Sequence, residues 1–471
     1  MGAMSRRLLA TAGAILVATS LTRGQAGSTA ALEAETLRHF QALVQLDTSS
    51  PPGNEIRAVE YLKKVLDGEG IPYQVFAKDP QRPNLVTRLK GNGKKRPILV
   101  LGHTDVVTID AKKWTFPPFG AALDGGYVYG RGTVDDKDNL VAGLMLILQL
   151  HRTKAALDRD VILLAASGEE GAPEVGAQFL IDTHFDAIDA EFCLAEGGGV
   201  LRKGGKVTQA NIGTTEKEPR PIELVVTGPA GHGSVPNQNS AVLAVAAAVG
   251  RIGSWKPPLR LNETTASYFK QLASTADAET AKRYRDLLNP DPTVHDPVED
   301  WMLVNEPTHW SMTHTSLVPT IMTTGFRYNV IPSEAKATID VRLHPDENQD
   351  AFLEQVRKVV NDPKVEVRWY RDRYRPAGGS RLNTEAFTVI EAQIKKHYDT
   401  MTLPTMGTGA TDMAQIRSKG VQCYGIGPAL DSEDAQKGFG AHSDQERILV
   451  AELHRFVRFQ MDVVMDLARA K

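Results

Sequence analysis

Apolar residues recur along this chain in two rhythms. Across residues 31–72 they fall at helical spacing on either side of a turn signal at 49–54 (SSPPGN), which predicts two amphipathic helices. Short, solid apolar runs then alternate with longer helical ones. The run RPILVLGHTDVV (96–107) predicts a strand ending at His103. LVAGLMLILQL (140–150) has helical length and an apolar face, while VILLAAS (161–167) and EFCLAE (191–196) have the composition of buried strands. Such alternation predicts an α/β sheet with helices on both faces, and sheets of that kind place their chemistry where strands end.

The pattern changes near residue 217. IELVVTG (222–228) predicts a strand, and SAVLAVAAAVGRIG (240–253) a helix with a polar start and a glycine stop. A polar, proline-bearing stretch follows, from 255 to 318, to which no element is assigned. TIMTTGFRY (320–328) and EAKATIDVRLH (334–344) alternate like a hairpin around NVIPS. A helix over 349–360 and a strand over 364–370 complete a βαββαβ unit, inserted as a second domain. The chain then returns to α/β character through ATDMAQIRSKG and VQCYGIG, and closes on a helix. The expected organisation is a leader (1–28), a catalytic domain in two parts (31–217 and 376–471) and an inserted domain (218–375).

Length and composition bear this out only coarsely. A chain of 471 residues is too long for one ordinary core. Its 42% hydrophobic and 24% charged residues exclude the disordered and membrane-embedded classes. A net charge of −3 and a pI near 6.5 leave no footprint for nucleic acid, and the short run RDRYRP (371–376) is expected to be a solvated strand. Arg6 and Arg7 precede an apolar run (8–21) and then small residues, the signature of a secretory signal peptide too short to span a bilayer. SRRLLA loosely resembles a twin-arginine export signal. Losing 1–28 removes three arginines and no acid, so the net charge moves from −3 to −6. The expected product is exported, periplasmic or released, and soluble, without stable membrane insertion. Cys193 and Cys423 sit in apolar stretches without metal-ligand spacing, which favours two buried free thiols over a disulfide.

The candidate chemistry lies in five acid and histidine clusters that end predicted strands or open loops. They are HTD (103–105), DDK (135–137), GEE (168–170), AEG (195–197) and AHSD (441–444). Together they supply two imidazoles and three carboxylates, a ligand set suited to two zinc-like ions that share a bridging carboxylate, and they leave Glu169 free to move protons. Alternate strand residues point the same way, so Asp105 can orient the His103 ring. A single aspartate can bridge two ions with its two oxygens. With one of the adjacent Glu169 and Glu170 on a metal, the other can take a proton from water and deliver it to a leaving amine. Glu196 is followed by three glycines and His442 lies in GFGAHSD, both compatible with tight loops at a site.

As a set, these segments resemble the dinuclear zinc exopeptidase and amidase family that includes glutamate carboxypeptidase, succinyl-diaminopimelate desuccinylase and the aminoacylases. The resemblance covers nearly all of the chain beyond the leader. The run WTFPPFGAALDGGYVYGRGTVDDK (114–137) is most similar to the branch of carboxypeptidase S and the N-fatty-acyl-amino-acid hydrolases.

The resemblance implies a catalytic α/β/α zinc-exopeptidase domain carrying a ferredoxin-like (βαββαβ) lid. It implies one ion on His103, Asp135 and Glu196, and a second on Asp135, Glu170 and His442, with zinc expected and cobalt or manganese as substitutes. Asp105 would orient His103, Glu169 would be the general base, and the Asp135–Asp136 peptide would be cis. His232, in GPAGHGSVP, would stabilise the oxyanion, from the partner subunit in dimeric relatives. Asn329 and Arg342 match substrate contacts, with Arg342 clamping a carboxylate; its alternative is a strand-surface salt bridge. Arg375 is a second carboxylate candidate, and Gly409 and Thr411 lie in a glycine-rich substrate loop, GTGATDM.

Two departures stand out: Asp138 replaces a glycine common in relatives, and 255–318 is longer than in minimal members. The expected activity is hydrolysis of an amide or peptide bond beside a free carboxylate, on an N-acyl amino acid or short peptide. An aminopeptidase or dipeptidase of the same family, or a catalytically silent binding protein, are the alternatives. A homodimer through the lid is compatible with this reading.

Overall fold

The computed structural model describes residues 29–371, 375–376 and 378–470, so the expected leader and part of RDRYRP lie outside the described residues. Two compact units emerge. One holds the chain through Asn92, Leu101–Val175 and Pro428 onward; the other holds Gly93–Val100 and Gly176–Gly427.

The first unit opens with the two expected helices, α1 (29–44) and α2 (Ile56–Glu69). α2 buries Ala58, Val59, Leu62 and Leu66 along one stripe. It stops at Gly70, whose left-handed φ of 68° lets its N–H bond back to the last carbonyls. Strands β1 (Tyr73–Phe76) and β2 (Asn84–Leu89) follow, then β3 (Ile98–His103), helix α3 (Lys137–Thr153) and β4 (Val161–Ala166). β2 pairs antiparallel with β1 and with β4, and β4 neighbours β3. Every residue of β3 and β4 is buried, as solid apolar strands require when both faces are covered. α3 is buried on all sides from Lys137 to Leu148 and packs against the C-terminal helix Val450–Ala468. It lies so close to β3 that a Cβ on Gly102 would sit 2.7 Å from the Leu140 nitrogen. This contact brings the end of β3 beside the start of α3.

In the second unit, β3 (through Val100) pairs in parallel with β5 (Phe192–Ala195). Next come β6 (Gly199–Lys203), β7 (Lys206–Glu216) and β8 (Ile222–Thr227), then α4 (Ala241–Ser254). The stretch 255–318, expected only to be polar, folds as four helices: α5 (Glu263–Thr275), α6 (Ala278–Leu287), α7 (Pro292–Asn305) and α8 (Pro307–Thr313). After them run β9 (Ser316–Thr324), β10 (Glu334–Leu343), α9 (Gln349–Val360), β11 (Val365–Trp369), α10 (Glu385–Tyr398), β12 (Thr402–Gly407) and β13 (Gln422–Gly425).

β5 pairs in parallel with β13, placing Cys193 opposite Cys423; both cysteines are buried and free. β7 pairs with β6, β12 and β13. The predicted βαββαβ unit forms an antiparallel sheet in the order β9–β10–β8–β11. Buried and half-buried residues alternate along β10, and α4 and α9 cover the buried face through Val245, Ile252, Phe352 and Val356. This is the ferredoxin-like arrangement the resemblance implied. Helices α5–α8 build their own core on Phe269, Leu287 and Met302, joined by Leu403 and Met406 of β12. Among the described residues no helix is long and apolar enough to cross a membrane.

Candidate metal centre

Four predicted ligands meet in the first unit. His103 ends β3, Asp135 lies two residues before α3, Glu170 follows β4 and His442 lies in the loop before the C-terminal helix. The Asp135 carboxylate faces both rings, one oxygen to each: Oδ1 is 3.0 Å from His103 Nε2 and Oδ2 is 3.0 Å from His442 Nε2. His442 Nε2 is also 2.9 Å from Glu170 Oε1. The ligand atoms of Asp135, Glu170 and His442 lie within 4.8 Å of one another, as do those of His103, Glu169 and Glu170. Imidazole nitrogens and carboxylate oxygens converging at this range fit a divalent ion of the zinc class.

The electrostatics agree. Burial raises the Asp135 carboxyl, but its hydrogen bonds with His103 and His442 outweigh this and hold it well below the usual carboxylate range. Hydrogen bonds with Asp135 and Glu170 push His442 up to about 10. The acids thus favour positive charge where the rings converge.

Asp105 builds the shell behind His103, with its backbone nearer the ring than its carboxylate. His103 Nδ1 is 3.0 Å from the backbone carbonyl of Asp105, whereas the nearer carboxylate oxygen is 3.6 Å away. The carboxylate instead accepts the Glu169 N–H at 3.1 Å and the Glu170 N–H at 3.0 Å. Nδ1 therefore carries the donated proton, and Nε2 presents its lone pair to the centre. The 168–172 turn needs glycine at its start. Gly168 has φ of 73°, and a Cβ there would lie 2.3 Å from the Ala172 carbonyl oxygen.

Sequence reasoning assigned nothing to Glu446 or Lys137. Fully buried Glu446 accepts hydrogen bonds from Arg131 (2.6 Å), the Gly132 N–H (3.1 Å) and the Val134 N–H (2.8 Å), fixing the loop into Asp135. Lys137 reaches the Leu46 carbonyl at 2.8 Å. Nothing local marked either: Glu446 stands in the charged run HSDQER (442–447), and its partners lie more than 300 residues earlier. The Asp135–Asp136 peptide is cis. Asp138, the departure noted above, is buried in α3, and burial pushes its carboxyl well above the ordinary range.

The remaining candidates belong to the second unit. Glu196 directly follows β5 and is half-buried. His232 is exposed, and its ring is set locally: the Ser234 N–H donates to Nδ1 at 3.1 Å, so a neutral ring carries its proton on Nε2. A two-residue strand pairing (His232 with Val330) brings His232 beside Asn329, whose buried Oδ1 has no hydrogen-bond partner among the described residues. Arg342 forks onto Asp340 at 2.9 and 3.3 Å, the salt-bridge alternative weighed above. Arg375 Nη1 donates to the Ala410 carbonyl at 2.6 Å, and Thr411 gives both its N–H and its hydroxyl to buried Glu216 at 3.0 and 2.9 Å. Both residues thus brace the glycine-rich loop, whose Gly409 is exposed.

Residues 99–466 match the model of peptidase family M20/M25/M40. A probable carboxypeptidase S-like 2 of Dictyostelium discoideum is 30% identical over 394 residues, covering 81% of this chain and 74% of that protein. The N-fatty-acyl-amino acid synthase/hydrolase PM20D1 of Homo sapiens is 25% identical over 383 residues, covering 79% of this chain and 74% of its own. Among solved structures, the M20 family metallo-carboxypeptidase Sso-CP2 from Sulfolobus solfataricus superposes with a TM-score of 0.68 at 19% identity. That match covers 91% of this chain and 98% of the other.

Proposed function

The chain belongs to peptidase family M20/M25/M40 and is a metal-dependent hydrolase of amide or peptide bonds, and from that premise we propose that it cleaves an amide bond beside a free carboxylate. It acts as a carboxypeptidase or N-acyl-amino-acid amidohydrolase. The observation that carries the reading is Asp135, with one oxygen turned to His103 and the other to His442. His103, Asp135 and Glu196 would hold one zinc ion, and Asp135, Glu170 and His442 a second. When bound, the ions supply Lewis acidity at the scissile carbonyl and lower the pKa of a water molecule.

The chain's own residues do the rest. Glu169, held on the turn that Asp105 pins, takes the proton from the attacking water and returns it to the departing nitrogen. His232 offers its Nε2–H to the oxyanion. Asn329 Oδ1 accepts a substrate N–H, and Arg342 shares its guanidinium between Asp340 and the substrate carboxylate. In this reading residues 218–375 are the lid, and His232, Asn329 and Arg342 are its contributions. Edge strand β9 exposes Val318, Ile321 and Met322, which supports a homodimer through the lid. Light scattering is expected to give twice the chain mass, falling to one after Ile321→Lys. Arg6 and Arg7 ahead of the apolar run 8–21 support reading 1–28 as a signal peptide that directs export.

The functional test incubates the zinc-loaded protein with a pooled panel of N-acyl amino acids and dipeptides, reading products by mass spectrometry. Cleavage is expected for one class bearing a free carboxylate. Glu169→Gln is expected to keep its metal and lose turnover by about 10³-fold. Undiminished turnover in that variant removes Glu169 from the reaction.

A further inference from the structure

Away from that centre, a second side-chain cluster has the composition and order of a metal site. His295, Asp296 and Glu299 lie on α7; helical spacing sets Glu299 one turn from His295 (i, i+4) and from Asp296 (i, i+3), and the Asp296 carboxylate turns back to its chain neighbour His295. His295 Nδ1 is 2.6 Å from Glu299 Oε1 and 3.3 Å from Asp296 Oδ1. One ligand atom from each of the three lies within 4.8 Å of the others. A ring nitrogen holds one proton and gives it to one oxygen; a divalent cation would serve the nitrogen and both carboxylates at once.

Glu299 is finished differently on its far side. Its Oε2 lies 3.0 Å from Nε2 of His314, a ring only 1% exposed. That ring is fixed at Nδ1 by the Trp310 carbonyl at 2.8 Å and stacked on the Trp310 indole at 4.2 Å. A carboxylate held from behind by a buried imidazole, and facing a second imidazole and a second carboxylate in front, has the arrangement that outer-shell partners impose on a metal ligand. The Asp296 side chain is 67% exposed, which leaves a path for an ion to enter.

We propose that His295, Asp296 and Glu299 form a further metal site for a divalent transition ion of the zinc class. Imidazole with carboxylates and no thiolate selects such an ion over copper(I) on one side and calcium on the other. Its role is structural. Through Glu299 and His314 it ties α7 to the residues that lead into β9, and Lys217 Nζ binds the His314 carbonyl at 2.6 Å from the other direction.

The test counts zinc by mass spectrometry on the full chain equilibrated at buffered free Zn²⁺, in wild type, His295→Gln and Asp296→Asn. Wild type is expected to hold one ion more than His295→Gln, and Asp296→Asn to need about tenfold more zinc for the same count. Asp296 is exposed, so its replacement leaves the fold in place. As a second readout, the zinc-dependent rise in Tm that survives Asp135→Asn is expected to vanish when His295→Gln is added. Because the readout is a difference between variants, it does not depend on how many ions the Asp135 centre holds. Equal ion counts in wild type and both variants would make the cluster an ion-pair network and overturn the site.

Discussion

Asp105 holds His103 through its backbone carbonyl and the Glu169–Glu170 turn through its carboxylate. In Asp105→Asn the amide NH₂ would face a backbone N–H in place of an acceptor oxygen. Metal affinity is expected to fall by about 10- to 100-fold, with turnover falling alongside it, while the fold persists. Chelator competition read against circular dichroism checks both halves of that statement. The neighbourhood of His103 and Asp105 was legible because strand side chains repeat every second residue. The carboxylate's real partners were not, because they come from the turn after β4, and only the placement of β4 beside β3 supplies them. The same holds for Thr411: its glycine-rich loop was recognisable, but the pull of buried Glu216 on its hydroxyl was not.

At the scale of elements, the approach of α3 to β3 sets the centre. A Cβ on Gly102 would meet backbone atoms of Leu140, which cannot turn aside as a side chain would. Gly102→Ala is therefore expected to cost about 1–3 kcal/mol of stability and to weaken metal binding, because the start of α3 carries Asp136, whose carboxylate accepts the His103 N–H at 3.1 Å. Urea unfolding and metal titration of the same preparation measure the two effects. Most helices and strands were legible from periodicity. α5–α8 were not, although their starts carry strong signals: Asn262 with Thr265 forms a capping box, Asp277 caps α6, and Asp291 caps α7 ahead of Pro292. Their apolar stripes are thin because part of the core they share, Leu403 and Met406, arrives from β12.

For the whole molecule, a buried histidine sets part of the acid limit of stability. Burial, with Lys217, Arg260 and His314 nearby, pushes His344 down from 6.5 to about 4. Between those values the unfolded chain binds the proton and the folded chain does not. Stability is therefore expected to fall as pH drops from 6.5 to 4, by up to about 3 kcal/mol from this group. His344→Asn keeps an acceptor for the Asp346 N–H and is expected to flatten that limb in a series of Tm measurements from pH 4 to 7. Parallel wild-type and variant curves would rule His344 out as the cause. The sequence by itself determined the alternation of elements, the βαββαβ unit and the family, because all of these rest on periodicity and on motifs a few residues long. Only the tertiary structure decided which Asp135 oxygen faces which imidazole, that Glu446 fixes the loop into Asp135, and that Asp105 pins the 168–172 turn. Those pairings join residues tens to hundreds of positions apart, and hydrogen-bond geometry between them exists only once the strands and helices that carry them have packed.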